Sequence, residues 1–501
     1  MEPAPVIRPR SPASPAVAVG RRRWRTVVGL SLVLSLVVYV ALPREMGELG
    51  RRAVAIAVFA AALWATEAIP LFVTSLGVVG LEVLLLASRD GGGGLAGTGD
   101  LSYRQFFEPF ASSTIILFLG GFLLAAAVSK HRLDRAVAGR LLRPFVGDSY
   151  KMIFATIFTT GFLSIWMSNT AVAAMMLAVI GPLTREPLFP RRLASALVLA
   201  VAFGASLGGF ITPVSTPPNA ITISQLRNIG VEITFVQWVL MAAPLSAGML
   251  VVAGVLLCLT MRPPRRFDPG ALTGTWDASR SEPVTWAGWA TVVVIGAAAA
   301  AWMTRPWHGV ADAAVALMAA TVLAAIGVLD RRDVRSINWD VLLLMWGGLA
   351  LGNALHVTGV LEYVGSLPAV QRLTGWALAL MVIGGGMVVA TFMSNTTAAN
   401  ILVPLAIALS MGGAEAAAGG SAGGGSEVVR DAARLGVLAG LTVSFSVALP
   451  ISTPPNAMAY ATGIVSARDI VRVGLPVSVL AVGVLMAGYL WVLPWATALL
   501  R

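Results

Sequence analysis

The chain has 501 residues, of which 57% are hydrophobic and 12% charged. A soluble domain carries roughly 25% charged residues, so this chain lacks the polar groups to cover soluble globular surfaces and reads as an all-α polytopic membrane protein. Its single cysteine, Cys258, excludes a disulfide scaffold, and three histidines with one cysteine argue against a structural zinc site. The net charge of +11 comes from 33 Arg and two Lys, Lys130 and Lys151. The arginines fall in short runs between apolar spans, a pattern that orients a membrane protein rather than one that binds nucleic acid.

Residues 1–26 are Pro-, Ala- and Arg-rich with no apolar face and predict a disordered cytoplasmic arm. The alternative is a signal peptide led by Arg21, Arg22, Arg23 and Arg25, but no A-x-A-type site follows Val40 and another span comes at once. Eleven stretches approach the about 20 apolar residues that a spanning helix needs. They are 27–43, 52–68, 70–88, 109–129, 193–214, 236–261, 286–304, 309–329, 338–357, 435–460 and 471–498. Two more, 152–183 and 376–410, are each interrupted near the middle by Ser-Asn-Thr. Their arms, roughly 12–17 residues, are short for a crossing at 1.5 Å per residue, so each reads as a re-entrant hairpin. Such backbone is tolerated at membrane depth only inside protein or against a wet cavity.

Positive charges fix the orientation. With the N-terminus inside and each hairpin returning to its own side, 24 of the 35 basic residues fall on inside segments. This bias predicts a cytoplasmic N-terminus, an external C-terminus at Arg501, a cytoplasmic first hairpin and an external second one. The Gly/Ala-rich stretch 412–426 predicts a flexible external insertion, and 262–285 a cytoplasmic linker between two halves, 27–261 and 286–501.

The halves are related by a repeat. Ser168-Asn169-Thr170 recurs as Ser394-Asn395-Thr396, offset by 226, and the pair Gly120-Gly121 recurs as Gly347-Gly348, offset by 227. Ser215-Thr216-Pro217-Pro218-Asn219-Ala220 recurs as Ser452-Thr453-Pro454-Pro455-Asn456-Ala457, offset by 237, and 412–426 accounts for the difference. Five spans separate equivalent elements, an odd number, so the repeat is inverted. Inverted repeats with breaks at matching positions point to a secondary transporter whose substrate and ion sites lie where the breaks meet.

Each Ser-Asn-Thr predicts a tip followed by a helix from Ala171 or Ala398, whose first N–H groups carry partial positive charge. Hydroxyls and N–H groups suit an anion, and carbonyl and side-chain oxygens suit a cation beside it. The plain alternative is an N-cap or a polar helix contact, and duplication at equivalent positions favours the site. Thr-Pro-Pro-Asn lies inside the stretches 193–229 and 435–460. Two prolines remove two donors and break the helix, releasing the carbonyls of Val214, Ser215, Ile451 and Ser452.

Together with Thr66-Glu67-Ala68-Ile69-Pro70-Leu71, the Phe118–Phe122 segment and Asn338-Trp339-Asp340, these motifs resemble the divalent anion:sodium symporters from about residue 50 onward. The resemblance implies a homodimer in the lipid bilayer of the plasma membrane, each protomer moving a transport unit like an elevator against a static scaffold. Carried over, Ser168, Asn169, Thr170, Ser394, Asn395 and Thr396 contact the substrate, with Thr216, Pro217, Thr453 and Pro454 lining the same cavity. One sodium site uses Ser164, Ser168, Asn169 and the Ser215 carbonyl. The other uses Ala390, Ser394, Asn395 and the Ser452 carbonyl. Ala390, the partner of Ser164, lacks a side-chain ligand unless Thr391 supplies it.

Glu82 is a functional candidate by virtue of its depth, whereas Glu67, beside Pro70, reads as structural. Asp340 and the three histidines, His131, His308 and His356, fall near span ends. The 14 Trp are expected mostly in interface belts. The Asn395-Thr396-Thr397 sequon is at a buried tip and is no acceptor site.

The expected function is sodium-coupled import of small di- or trianions, such as succinate, malate, fumarate, citrate or sulfate, with sodium co-transported and no organic cofactor. The alternative in the same class is a sodium-independent dicarboxylate exchanger, disfavoured because no Lys or Arg lies near either tip. A membrane-embedded enzyme would need clustered titratable or metal-binding groups, and a receptor would bind without flux.

Overall fold

The computed structural model describes residues 23–87, 101–186, 189–267, 285–368, 375–418 and 425–492. The arm before Arg23, most of the 262–285 linker and Arg501 lie outside the described residues. Within them the chain is helical, and nine helices are long and apolar enough to cross a membrane.

The first half contributes α1 (Arg23–Ala41), α2 (Glu48–Thr66), α3 (Leu71–Leu86) and α4 (Ser113–Lys130). A hairpin follows, α5 (Ser149–Ser164) and α6 (Asn169–Thr184), then α7 (Arg191–Gly208), α8 (Pro217–Asn228) and α9 (Phe235–Met261). The second half has α10 (Trp286–Met303), α11 (Asp312–Ala325), α12 (Trp339–Val357), and a hairpin of α13 (Gly375–Phe392) and α14 (Asn395–Ala418). It ends with α15 (Gly425–Ser444), α16 (Pro454–Ala461) and α17 (Ala467–Ala487).

The contacts obey the repeat. Helix α4 packs on α11, and α12, the equivalent of α4, packs on α3. Helix α8 crosses onto α14 and α15 of the second half, while α16 crosses onto α6 and α7 of the first. One hydrophobic core joins both hairpins, both broken helices, α9 and α17. Separate cores join α4, α10 and α11, and α2, α3 and α12. Helix α1 lies outside the repeat and exposes Leu30, Val33, Leu36, Val37 and Val40, a surface that suits lipid.

Several expectations are corrected. The arms of the second hairpin are longer than 12–17 residues, at 18 for α13 and 24 for α14. The span expected at 309–329 is the 14-residue α11. Helix α14 continues to Ala418 and α15 starts at Gly425, so 412–418 and 425–426 of the expected flexible insertion are helical, Ala and Glu having strong helix propensity. Residues 419–424 lie outside the described residues. Trp64, Trp238 and Trp302 are buried rather than in belts, because each indole N–H finds a backbone carbonyl, of Leu71, Phe210 and Asp312 respectively.

Candidate functional site

Each break follows from local chemistry. Helix α7 stops at Gly208 and α15 at Ser444, and α8 and α16 restart with proline at the first position, where a missing N–H costs no helix bond. A buried asparagine then fastens each break. Asn219 Nδ2 donates to the carbonyls of Gly209, Phe210 and Thr212, the last at 2.7 Å. Asn456 Nδ2 donates to Val447 at 2.9 Å and Leu449 at 3.0 Å. Phe210 and Thr212 stand 237 residues before Val447 and Leu449, so the lock is duplicated with the motif.

The hairpin tips dock onto these breaks. In the first half Ser215 Oγ lies 3.4 Å from the carbonyl of Ile165, which also accepts from Thr212 Oγ1 at 2.7 Å. In the second half Ser452 Oγ donates to the carbonyl of Thr391 at 3.0 Å. Ile165 and Thr391 are equivalent at offset 226, as Ser215 and Ser452 are at 237. The Ser452 carbonyl faces the same tip, 3.1 Å from the Asn395 amide, while Ser215 Oγ also donates to the Thr212 carbonyl at 3.2 Å.

At the first tip Ser168 is the N-cap of α6, its Oγ accepting from Ala171 N at 3.3 Å. The helix therefore begins at Asn169 rather than Ala171, and Asn169 and Thr170 occupy its first turn. Helix α14 likewise begins at Asn395, with Ser394 Oγ accepting from Thr397 N at 3.3 Å. The residues that cap and open these helices are the same ones that the motifs single out as candidate ligands.

Around Asn169 the atoms are mostly oxygen. Ser164 Oγ lies 2.9 Å from Asn169 Oδ1 and 2.9 Å from the Ala205 carbonyl. A hydroxyl has one proton, so one of those contacts has no hydrogen between its oxygens. Gly209 sits against this amide: a Cβ there would come within 1.9 Å of Asn169 Oδ1. Around Asn395 the outer amide atom lies 3.1 Å from the carbonyl oxygens of both Ser452 and Val443. In the orientation that satisfies its neighbours, the Asn395 amide nitrogen donates to both carbonyls and ties the tip to the break.

Ala390 is buried and brings no side-chain oxygen. Thr391 and Ser446, beside it, bring two hydroxyls, 3.1 Å apart, and Thr391 Oγ1 also donates to Met387 at 2.7 Å. The second half thus carries hydroxyls at 391 and 446 where the first half has their equivalents, Ile165 and Gly209. Sequence reasoning missed Ser446, Thr212 and Thr397, though aligning the two halves would have exposed Ser446 against Gly209.

The two half-sites meet. Phe210 and Phe445 pack edge to face at 5.2 Å between the breaks, and Ser206 Oγ donates to Thr453 Oγ1 at 3.2 Å. Thr216 and Thr453 are buried with the breaks, while Thr170 and Pro454 are exposed and Thr396 and Pro217 half-buried. Glu82 is buried in α3, in the α2, α3 and α12 region, and neither carboxylate oxygen has a partner. Glu67 caps the end of α2 in the left-handed region.

A family model described as citrate transporter matches residues 61–422, with a further match over 300–499. An uncharacterized transporter of Haemophilus influenzae is 29% identical, covering 92% of this chain and 96% of its own. The sodium-dependent dicarboxylate transporter SdcS of Staphylococcus saprophyticus is 25% identical, covering 93% and 90%. The solved structure of the Neisseria gonorrhoeae antimetabolite efflux pump MtrF shares the fold at 14% identity and a TM-score of 0.52, covering 86% of this chain and 96% of that one. The chain is a multi-pass membrane transporter that belongs to the citrate transporter family and carries the motifs of the divalent anion:sodium symporters.

Proposed function

We propose that the protein is a secondary active transporter that carries a small di- or tricarboxylate, or sulfate, into the cell together with sodium ions. The observation that carries this reading is the duplicated docking of an uncharged hairpin tip onto a broken helix, with the two pairs meeting at Phe210 and Phe445. The family match and the sodium-dependent dicarboxylate transporter among the relatives support it.

In this reading the first-turn N–H groups of α6 and α14, with Ser168, Asn169, Thr170, Ser394, Asn395 and Thr396, meet the anion. Thr216, Pro217, Thr453 and Pro454 line the same space. One sodium site uses Ser164, Ser168, Asn169 and the Ser215 carbonyl, and the other uses Ser394, Asn395, the carbonyl of Ser452 and backbone at Ala390. Both half-sites are built of neutral dipoles, so sodium supplies the positive charge that makes a dianion welcome. Neither 152–183 nor 376–410 contains a Lys or Arg that could replace it.

The shared core of hairpins, broken helices, α9 and α17 supports a mobile unit, and the separate cores of α2–α4 and α10–α12 support a static scaffold. The elevator, the homodimer, the plasma-membrane location and the inside N-terminus belong to the same proposal. Uptake of radiolabelled succinate, malate, fumarate, citrate and sulfate into proteoliposomes, with and without an inward sodium gradient, tests it. Sodium-driven accumulation of one of these anions is expected. Flux that ignores sodium but requires an internal dicarboxylate would replace this reading with exchange.

A further inference from the structure

A cavity of about 310 Å³ takes no part in the site above. It lies where α4, α9 and α11 begin, and the charge count puts these ends outside. Ser113, Thr114, Arg227, Phe235, Arg305 and Asp312 line it. Three helix N-termini, which favour an anion, border this space together with the C-terminal end of α8 that carries Arg227.

The charged side chains do not cancel one another evenly. Asp312 Oδ2 accepts from Phe235 N at 2.9 Å and from Arg305 Nη1 at 3.1 Å, and Arg305 Nη2 reaches Glu232 at 3.8 Å. Both carboxylates are therefore engaged by Arg305. Arg227, half-buried, makes no ion pair among the described residues. Its Nη1 donates to Ser113 Oγ, and its Nε is buried without a partner. Thr114 on the first turn of α4 is 3% exposed, and its Oγ1 has no partner. Asp312 Oδ1 is also without a partner, and a water or a ligand hydroxyl would serve it. An uncompensated guanidinium, an unpartnered buried hydroxyl and the start of an 18-residue helix together supply the donors that an anion site needs.

We propose that this cavity is an outer vestibule in which Arg227 and Thr114 hold a carboxylate group of a small anion before it reaches the transport site. Arg227 stands ten residues after Pro217 on α8, about 15 Å along the helix from the break. One helix thus carries the vestibule at its outer end and the transport site at its start. The equivalent of Arg227 at offset 237 is Ile464, so the inner face has no counterpart. That the anion is a carboxylate rests on the transport reading above.

The vestibule needs no sodium, because its charge is a fixed guanidinium, whereas the transport site needs sodium. Equilibrium binding of radiolabelled succinate to the purified full-length protein in sodium-free choline buffer separates them. Weak, salt-sensitive binding is expected in the wild type and in Asn169→Ala. It should weaken about tenfold or more in Arg227→Gln, the loss of a charged hydrogen-bond donor, and largely return in Arg227→Lys. Thr114→Val should weaken it too, and serves if Arg227→Gln does not fold. Absent sodium-free binding, or binding lost in Asn169→Ala but kept in Arg227→Gln and Thr114→Val, overturns the proposal. Sodium-driven uptake is measured separately in the same wild-type protein, and its failure overturns the transport reading instead.

Discussion

Ser164 and Ala390 occupy equivalent positions, and the second half has hydroxyls at Thr391 and Ser446, 3.1 Å apart. If those hydroxyls replace the absent one, Ser446→Ala should lower sodium affinity while leaving the first half-site intact, and Ala390→Ser in that background should restore it. Sodium titration of substrate binding reads both, and an unchanged titration in Ser446→Ala would remove the residue from the site. Asn169 and Asn395 carry more, because each faces several oxygens and stands in the first turn of its helix. Their replacement by alanine should leave folding intact and abolish sodium-driven uptake. Losing a buried partner of a charged group costs about 1–3 kcal/mol or more, which is roughly a fivefold or greater loss of sodium affinity. Near-normal uptake by either variant would sink the assignment. Gly209→Ala tests the same pocket from the other side. Its Cβ would displace the Asn169 amide, so sodium affinity should fall without loss of any polar atom.

At the scale of elements, the first hairpin is held by backbone approach. A Cβ on Gly208 would lie 2.3 Å from Gly161 Cα, so α5 and α7 touch where each has no side chain. Gly208→Ala forces these helices apart just before the break, and overpacking of this kind costs about 1–3 kcal/mol. A lowered melting temperature is expected, with sodium-driven uptake impaired because the tip no longer meets Ser215. A melting temperature equal to wild type would show that the helices separate without strain. The break itself depends on Asn219 and Asn456, which gather backbone carbonyls in the loops where α7 and α15 end. Both asparagines are fully buried.

At the scale of the molecule, both halves contribute to one site, and cooperation between ligands follows. Two half-sites of neutral dipoles predict at least two sodium ions per substrate, one held more weakly because the second half-site has a different oxygen set. Bound sodium should raise substrate affinity, and by linkage substrate should raise sodium affinity by the same factor, with coupling of about 1–3 kcal/mol. Calorimetry of substrate binding at several sodium concentrations, with choline holding ionic strength, measures this. Affinity that does not change with sodium would favour exchange.

The sequence alone determined the membrane class, the inverted repeat and the two pairs of breaks. Each of these rests on local chemistry: apolar runs must leave water, consecutive prolines cannot continue a helix, and duplicated motifs keep their offsets. The helix starts at Asn169 and Asn395 were misplaced by two or three residues, because whether a serine caps or precedes a helix depends on which N–H it reaches. The lengths of α13 and α14 and the helical residues 412–418 were missed because glycine- and alanine-rich composition reads as flexible until a neighbouring helix packs on it. What the fold alone settled is that α8 and α16 exchange between the halves and that Ser446 lies against Thr391. It alone also brought Arg227 beside Thr114, 113 residues earlier in the chain. Those pairings join distant segments, and the free energy that selects them lies in packing and in satisfied buried polar groups, neither of which leaves a pattern in a single sequence.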